Sequence, residues 1–539
     1  MRAFAELLDR LVLTPQRNGK LRLLADYFRT APDPDRGLAL AAITRDLELQ
    51  SVKPAMLRAL IGERSDPLLF AYSYDYVGDL AETISLIWPG ENETAPETDL
   101  PLHVVVHDLQ RASRREGPLL VAGWLDMLGV SERYALLKLV TGGLRIGVSA
   151  RLAKQALADF GGVDVSEIEE LWHGQAAPYE ALFAWLEGRG EKPASSAAAP
   201  FRPVMLATAL DEAEFPALDP SAYSAEWKWD GIRVQAVAEK GVRRLYSRTG
   251  DDISGTFPDI LEAMDFEGAI DGELLVGHHG ETGLETASFS DLQQRLNRKT
   301  VTAKQLRDHP AFIRAYDLLH AGSQQAGEDL RGLPFSERRE RLEAFVAGLD
   351  PHRFDLSPVL SFSDFDELAK LRADPPHPVI EGIMLKRRDS AYLAGRPKGP
   401  WFKWKRDPFT VDAVVVYAQR GHGKRSGYYS DFTFSVWTGP ESDPVLVPVG
   451  KAYFGFTDEE LKLLDRFVRE NTTERFGPVR AVRAEPDHGL VVEVAFEGLN
   501  RSTRHKSGVA MRFPRFSRLR WDKPPREADR LETLEKLLD

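Results

Sequence analysis

Lys228 sits in the string Glu226-Trp227-Lys228-Trp229-Asp230-Gly231-Ile232-Arg233, with Asp-Gly starting two positions on and an arginine closing the run. A lysine amine is protonated at neutral pH, its unperturbed pKa being near ~10.4, so it attacks phosphorus only where cations or desolvation favour the neutral form. Lys228 is therefore read as a nucleophile toward phosphate, activated by a divalent metal and by neighbouring Lys or Arg. Glu381 follows Val379-Ile380 and precedes Gly382-Ile383-Met384-Leu385, which places a carboxylate on a strand otherwise buried on its faces. A carboxylate there needs a partner, and Mg²⁺ suits it because that ion is held by one or two carboxylates together with phosphate oxygens. Lys403 and Lys405 are two apart, so on a strand both point to one face and Trp404 to the other. Two adjacent ammonium groups repel unless an anion lies between them, and an α-phosphate meets that need.

These residues must be held by defined elements. Residues 1–190 read as helical, since FAELLDRLV, SERYALLKLV and SARLAKQALADF carry apolar residues at three- and four-residue spacing between Pro- and Gly-containing breaks. The small, polar, proline-flanked stretch 191–200 reads as a linker. From 201 to 406 short alternating runs take over, with residues 232–238 and 242–247 flanking Lys240-Gly241 as a hairpin, and Lys228 on or just before its first strand. Helical segments FPDILEAM and SDLQQRL intervene, making this region α+β. From 407 to 539 come strand-like runs such as TVDAVVVYAQ and GLVVEVAFEG, interrupted by one helix that starts at Thr457 with Glu460 three residues on, a capping-box pattern. Short strands with one intervening helix suit a small β-barrel of the OB type.

A chain of 539 residues is too long for one core, and its length suggests about three or four domains. The N-terminus is broken by charges every few residues, so it reads neither as a signal peptide nor as a membrane span, and a cytoplasmic location is expected. With no cysteine, disulfides, a thiolate nucleophile and Cys-based zinc sites are excluded. The net charge of −12 does not exclude nucleic acid, because phosphate responds to the local field. Residues 501–526 hold nine Lys or Arg and one acid, Asp522, while 135–158 hold Lys138, Arg145, Arg151 and Lys154 and no acid.

In order along the chain come Ser247-Arg248-Thr249-Gly250, Asp271-Gly272-Glu273-Leu274, Tyr316-Asp317-Leu318-Leu319, Glu381-Gly382-Ile383-Met384, Lys403-Trp404-Lys405, and the run from Arg512-Phe513-Pro514-Arg515-Phe516 to Lys523. With the Lys228 string, this series resembles the nucleotidyltransferase motifs of the ATP-dependent DNA ligases, whose R-F-P-R-F-x-R-x-R-x-D-K terminal motif is matched at every fixed position. The resemblance implies a helical DNA-binding domain, an α+β adenylation domain and an OB-fold domain. The layout is similar to that of bacterial auxiliary ligases of the ligase B type. It implies that a lysine-AMP formed on Lys228 from ATP seals 5′-phosphate/3′-hydroxyl nicks in duplex DNA, in repair, recombination or replication, with Mg²⁺ or Mn²⁺ and as a monomer. It also places Glu226 at the adenine edge, and Arg233, Arg248 and Glu273 on the ribose or the 5′-phosphate. Glu273 joins Glu381 as a metal carboxylate. Tyr316 stacks on the base where the family often has phenylalanine, and Lys386 and Arg396 add to the phosphate surface, Lys398 lying near the same motif position. Arg518, Arg520 and Lys523, with Asp522 among them, close over ATP and orient pyrophosphate. The glycine-rich break Thr141-Gly142-Gly143-Leu144-Arg145-Ile146-Gly147 is similar to an L-R-x-G element of the larger ligases' DNA-binding domain. NAD-dependent ligases share the lysine motif but carry a four-cysteine zinc site, so zero cysteines favours ATP. An RNA ligase or capping enzyme fits the terminal motif and helical leader less well, and a decayed DNA-end scaffold would not keep Lys228, Glu381, Lys403 and Lys405.

Overall fold

The computed structural model describes residues 1–89, 100–193, 198–280, 283–287, 289–296, 301–322, 327–421 and 427–538, without the side chains of 75–76, 279–280, 283–284 and 289–290. Part of the expected linker, 194–197, lies outside the described residues. The chain divides into two compact units, Met1–Ser363 with Ile383–Lys403, and Asp364–Gly382 with Trp404–Asp539. The expected helical and α+β regions thus share one unit, and the expected β-rich region takes a short helix, Phe365–Ala373, with it.

Among its described residues the first unit begins with twelve helices, Arg2–Leu13 to Glu180–Leu186, and has no strand before Thr208. Their apolar stripes meet in one core where Leu8, Leu24, Phe28, Leu136, Leu157 and Phe183 are fully buried. Phe28 packs edge-on against Phe160 and Phe183 with ring centroids 6.4 and 5.7 Å away. Truncating such a ring to alanine costs about 3–5 kcal/mol. Helix Val130–Thr141 stops at Gly142 in the left-handed region (φ 70°), and helix Ala150–Gly161 starts where the Ser149 hydroxyl accepts from the Leu152 N–H.

Two sheets follow, built from β1 (Thr208–Ala209), β2 (Tyr223–Trp229), β3 (Ile232–Glu239), β4 (Val242–Ser247), β5 (Gly268–Gly280), β6 (Gly283–Thr286), β7 (Ala311–Ala321), β8 (Glu328–Asp329), β9 (Phe354–Leu356), β10 (Val359–Leu360), β11 (Ile380–Arg387) and β12 (Trp401–Lys405). One has the order β4-β3-β5-β7-β8, with β6 on β5 and β9 on β7; the other has β1-β12-β11-β2-β10. The β3–β4 hairpin turns through Lys240 (φ 53°) and Gly241 (φ 74°), the two left-handed residues that a tight two-residue turn demands. Lys228 is the penultimate residue of β2, the strand before that hairpin. Between β2 and β3 stands Gly231, where a Cβ would lie 2.4 Å from the Leu274 carbonyl oxygen, so only glycine lets the turn approach β5 this closely.

The described strands of the second unit form a curled sheet of β13 (Phe409–Arg420), β14 (Tyr429–Thr438), β15 (Val445–Ala452), β16 (Thr472–Phe476), β17 (Val479–Val482), β18 (Val491–Phe496) and β21 (Arg515–Arg520), and a separate antiparallel pair of β19 (Gly498–Arg501) with β20 (Val509–Arg512). Strand β13 pairs with β14 and, along its length, first with β18 and then with β17, a change of partner that an OB-like curl requires. Helix Asp458–Asn471 lies between β15 and β16. Its capping box is formed as the sequence predicts, Thr457 Oγ1 accepting from the Glu460 N–H at 3.2 Å and Glu460 Oε2 from the Thr457 N–H at 2.8 Å.

Candidate active site

The alternation of β2 buries Trp227 and Trp229 on one face and leaves Glu226 and half-buried Lys228 on the other. Trp229 is clamped, its indole N–H donating to Ser357 Oγ at 3.3 Å and its ring lying 4.1 Å from the Arg314 guanidinium. Beyond Lys228 the turn is braced from below, as the Gly231 N–H donates to Glu273 Oε1 at 3.2 Å. The strand and the carboxylate together fix where the amine starts.

Glu226 and Lys386 are not where a surface reading puts them. Both are 1% exposed, and Lys386 Nζ donates to the two Glu226 carboxylate oxygens at 3.1 and 3.2 Å and to the Tyr316 carbonyl at 3.0 Å. The ammonium lies 4.5 Å from the Tyr316 ring and 4.7 Å from that of Trp401. Burial pulls its pKa below the ordinary lysine value while Glu226 opposes the shift. The expected place of Lys386 on a phosphate surface is corrected by this geometry, because a desolvated ammonium needs a fixed anion and Glu226 supplies it. Tyr316 covers the pair, its ring half-buried.

Arg233 is anchored as well. Its guanidinium grips Asp271 through Nη2 (2.6 Å) and Nε (3.1 Å), donates to the Met205 carbonyl at 2.6 Å and meets the Tyr392 hydroxyl at 3.0 Å, while that hydroxyl donates to Asp271 at 2.6 Å. Asp271 is fully buried and was not singled out from the sequence, although it opens the same Asp-Gly-Glu-Leu string as Glu273. Arg248 and Arg396 are exposed and have neither an ion pair nor a hydrogen bond with any described residue. Partial desolvation of the guanidinium, with the charges of Arg233, Arg396 and Arg151, holds the Arg248 pKa below the ordinary arginine value.

In the second unit Lys405 Nζ bridges Glu381 at 2.9 Å and Glu497 at 3.4 Å, and Arg515 meets Glu497 at 2.9 Å. The two carboxylates hold the Lys405 pKa above the ordinary lysine value although burial opposes it. Along β12, Trp401, Phe402 and Trp404 are buried and Lys403 and Lys405 are not, the alternation expected for the lysine pair. In the terminal motif Phe516 is a core residue, 2% exposed, whereas Phe513 is 61% exposed with φ 51°. Arg520 pairs with Asp412 at 3.2 Å and Asp522 at 2.9 Å, Lys523 pairs with Asp412 at 2.7 Å, and Arg518 is exposed. Asp412 is a lone acid in the apolar run of β13, the same signal that drew attention to Glu381. No group of three His, Asp or Glu side chains gathers as a cation cage among the described residues. A Mg²⁺ ion that keeps waters and leans on phosphates needs none.

The four basic residues of 135–158 separate. Lys138 is 3% exposed and bonded to Asp79 at 2.5 Å, and Lys154 is 8% exposed, 4.4 Å from the Trp172 ring, its pKa pulled to about 8 by burial. Both are therefore corrected from DNA contacts to interior residues, since a cation with this little exposure cannot reach a duplex. Arg145 (φ 50°) and Arg151 are exposed, with side chains 76% and 45% accessible. The loop carrying Arg145 is tied down by Lys20, whose Nζ donates to the Ile146 and Gly147 carbonyls at 2.5 and 3.0 Å. It borders a cleft of about 580 Å³ lined by Arg17, Arg45, Arg145, Gly142, Gly147 and Ser149.

Residues 204–405 match the family described as ATP dependent DNA ligase domain, and residues 425–523 match the ATP dependent DNA ligase C terminal region. A "Probable DNA ligase" of Koribacter versatilis is 31% identical over 578 residues, covering 100% of this chain and 96% of that protein. "DNA ligase 1" of Korarchaeum cryptofilum is 28% identical over 560 residues, covering 100% and 98%. The solved structure named "Pmar-Lig_PreS3" shares the fold with a TM-score of 0.57 at 16% identity, over 96% of this chain and 99% of that one.

Proposed function

Because the chain belongs to the ATP-dependent DNA ligases, we propose that it seals nicks in duplex DNA, joining a 5′-phosphate to a 3′-hydroxyl through AMP carried on Lys228. The neutral Lys228 amine attacks the α-phosphorus of ATP, an N–P bond forms, the bond to the β-phosphate oxygen breaks and pyrophosphate leaves. AMP then passes to the 5′-phosphate, freeing the lysine, and the 3′-hydroxyl displaces AMP to form the phosphodiester. Positioning carries most of this chemistry. The observation that bears the reading is the bracing of the Lys228 turn, with Glu273 on the Gly231 N–H and Trp229 clamped by Arg314 and Ser357.

The other residues divide by role. Tyr316 offers its ring to the base, and the buried Glu226–Lys386 pair beneath it shapes the adenine edge. Arg233, held by Asp271, anchors β3 beside β4, and Arg248, in the loop after β4, takes phosphate oxygens with Arg396. Lys403 faces the α-phosphate. Arg520 and Lys523 orient pyrophosphate by exchanging Asp412 and Asp522 for phosphate oxygens. Glu273 and Glu381 are the carboxylates suited to Mg²⁺ or Mn²⁺, which when bound offsets charge on the transferring phosphate. Arg17, Arg45 and Arg145, grouped at the start of helix Ala150–Gly161, bind backbone phosphates of the duplex. Incubation with ATP or with NAD labelled in the adenylate tests the reading. Acid-labile labelled protein is expected from ATP alone, and label from NAD alone would overturn it.

A further inference from the structure

Helix Ala150–Gly161 does more than border the cleft. The helical segment is fixed against the loop that carries Arg248: the His173 ring lies 4.8 Å from that of Tyr246 and 5.9 Å from that of Phe201. A methyl group on Gly250 of that loop would stand 3.1 Å from Phe201 and 3.5 Å from His173 Nε2. Glu170, one turn earlier, is bonded to Arg331 at 2.6 Å. This packing aims Arg151, second residue of its helix, at the Gly395-Arg396 step, where its Nη2 lies 3.7 Å from the position a Cβ on Gly395 would take. Glu169 holds the other side of that guanidinium, Nε to Oε1 at 3.3 Å.

We propose that Arg151 joins Arg248 and Arg396 as a seat for a phosphate group of the substrate, so that the helical segment completes the nucleotidyl-transfer site as well as gripping the duplex. The proposal rests on the ligase reading above. Arg248 and Arg396 have no carboxylate partner among the described residues, and Arg151 shares only Glu169. Arg151 and Arg396 lie close enough for their charges to act on Arg248, and three guanidinium groups with one carboxylate between them repel until an anion enters, phosphate accepting from several of them at once. Below them Arg233 is already neutralised by Asp271 and is not available for this role. The phosphate is either the 5′-phosphate of the nicked strand or the phosphate chain of ATP.

The test uses the full chain with Arg151→Ala and Arg151→Lys. Affinity is measured for nicked duplexes ending in 5′-phosphate and in 5′-hydroxyl, and KM for ATP is measured in self-adenylation. Arg151→Ala is expected either to lose about tenfold in affinity for the 5′-phosphate nick while the 5′-hydroxyl nick is unchanged, or to raise the ATP KM about tenfold, one charge-assisted bond being lost in each case. The first outcome identifies the DNA phosphate and the second the nucleotide. Arg151→Lys, which keeps the charge without the fork, should fall between alanine and wild type. Equal losses on both nicks would make Arg151 a duplex contact, and no change in either assay would remove it from the site. Either result overturns the proposal and leaves the ligase reading standing, whereas failure of the unaltered enzyme to seal any nick would strike the reading itself.

Discussion

Replacing Lys386 with methionine separates two accounts of this residue. The structure buries it against Glu226, with both side chains 1–2% exposed and two contacts of 3.1 and 3.2 Å. Methionine fills most of the volume but leaves the Glu226 carboxylate in the interior with Arg339, 3.7 Å away, as its remaining cation. Removing one member of a buried ion pair costs about 3–5 kcal/mol. Restoring neutrality with Glu226→Gln in the same chain should recover part of it, a coupling of about 0.5–3 kcal/mol in a double-mutant cycle. Denaturant unfolding of the wild type, the two single variants and the double variant measures both quantities. A Lys386→Met protein as stable as the wild type but defective in ATP binding would refute the burial argument and return Lys386 to a phosphate surface.

The remaining expectations are smaller in scope. Lys154 titrates at about 8 in the folded state against an ordinary value of 10.5, because of burial, so the unfolded chain binds more protons between these values and stability rises with pH across the window. Relative to Lys154→Met, the wild type should gain on the order of 3 kcal/mol from pH 8 to pH 10.5, read by unfolding at each pH, and a flat difference would contradict the burial. Arg17, Arg45 and Arg145 changed together to alanine should lower the slope of log affinity against log salt for nicked duplex by about 2.7, at ~0.9 per phosphate contact, and an unchanged slope would move the duplex elsewhere. Arg520→Ala and Lys523→Ala should slow self-adenylation with ATP yet spare joining of a nick that already carries 5′-adenylate; equal losses in both assays would make them DNA contacts.

Local signals were legible where local physics decides. The hairpin at Lys240-Gly241, the capping box at Thr457 and Glu460 and the alternation of Trp404 with its flanking lysines follow from turn dihedrals, orphan N–H groups and the period of a strand. The pairing of charges was not legible, because Lys386 and Glu226 are 160 positions apart and Lys138 and Asp79 are 59 apart. A signal for Lys138 did exist: it stands in Ala135-Leu136-Leu137-Lys138-Leu139-Val140, where every neighbour is buried, so its face of the helix had no route to solvent. Lys154 has the same character between Ala153 and the buried Ala156-Leu157-Ala158. Arg145 lies in the loop between the two helices and Arg151 in the first turn of the second, which leaves both to solvent, whereas Lys138 and Lys154 sit further along helices packed into the core. The packing of His173 against Tyr246 joins residues over 70 positions apart and had no sequence signature.

The most direct measurement on the central claim uses Lys228→Ala with two substrates. With labelled ATP the variant should form no acid-labile AMP-protein and seal no ordinary nick, yet it should still join a nick carrying a preformed 5′-adenylate, because the amine is consumed only in the first transfer. Labelled AMP-protein formed at the wild-type rate by the variant would show that another residue is the nucleophile and would contradict the account.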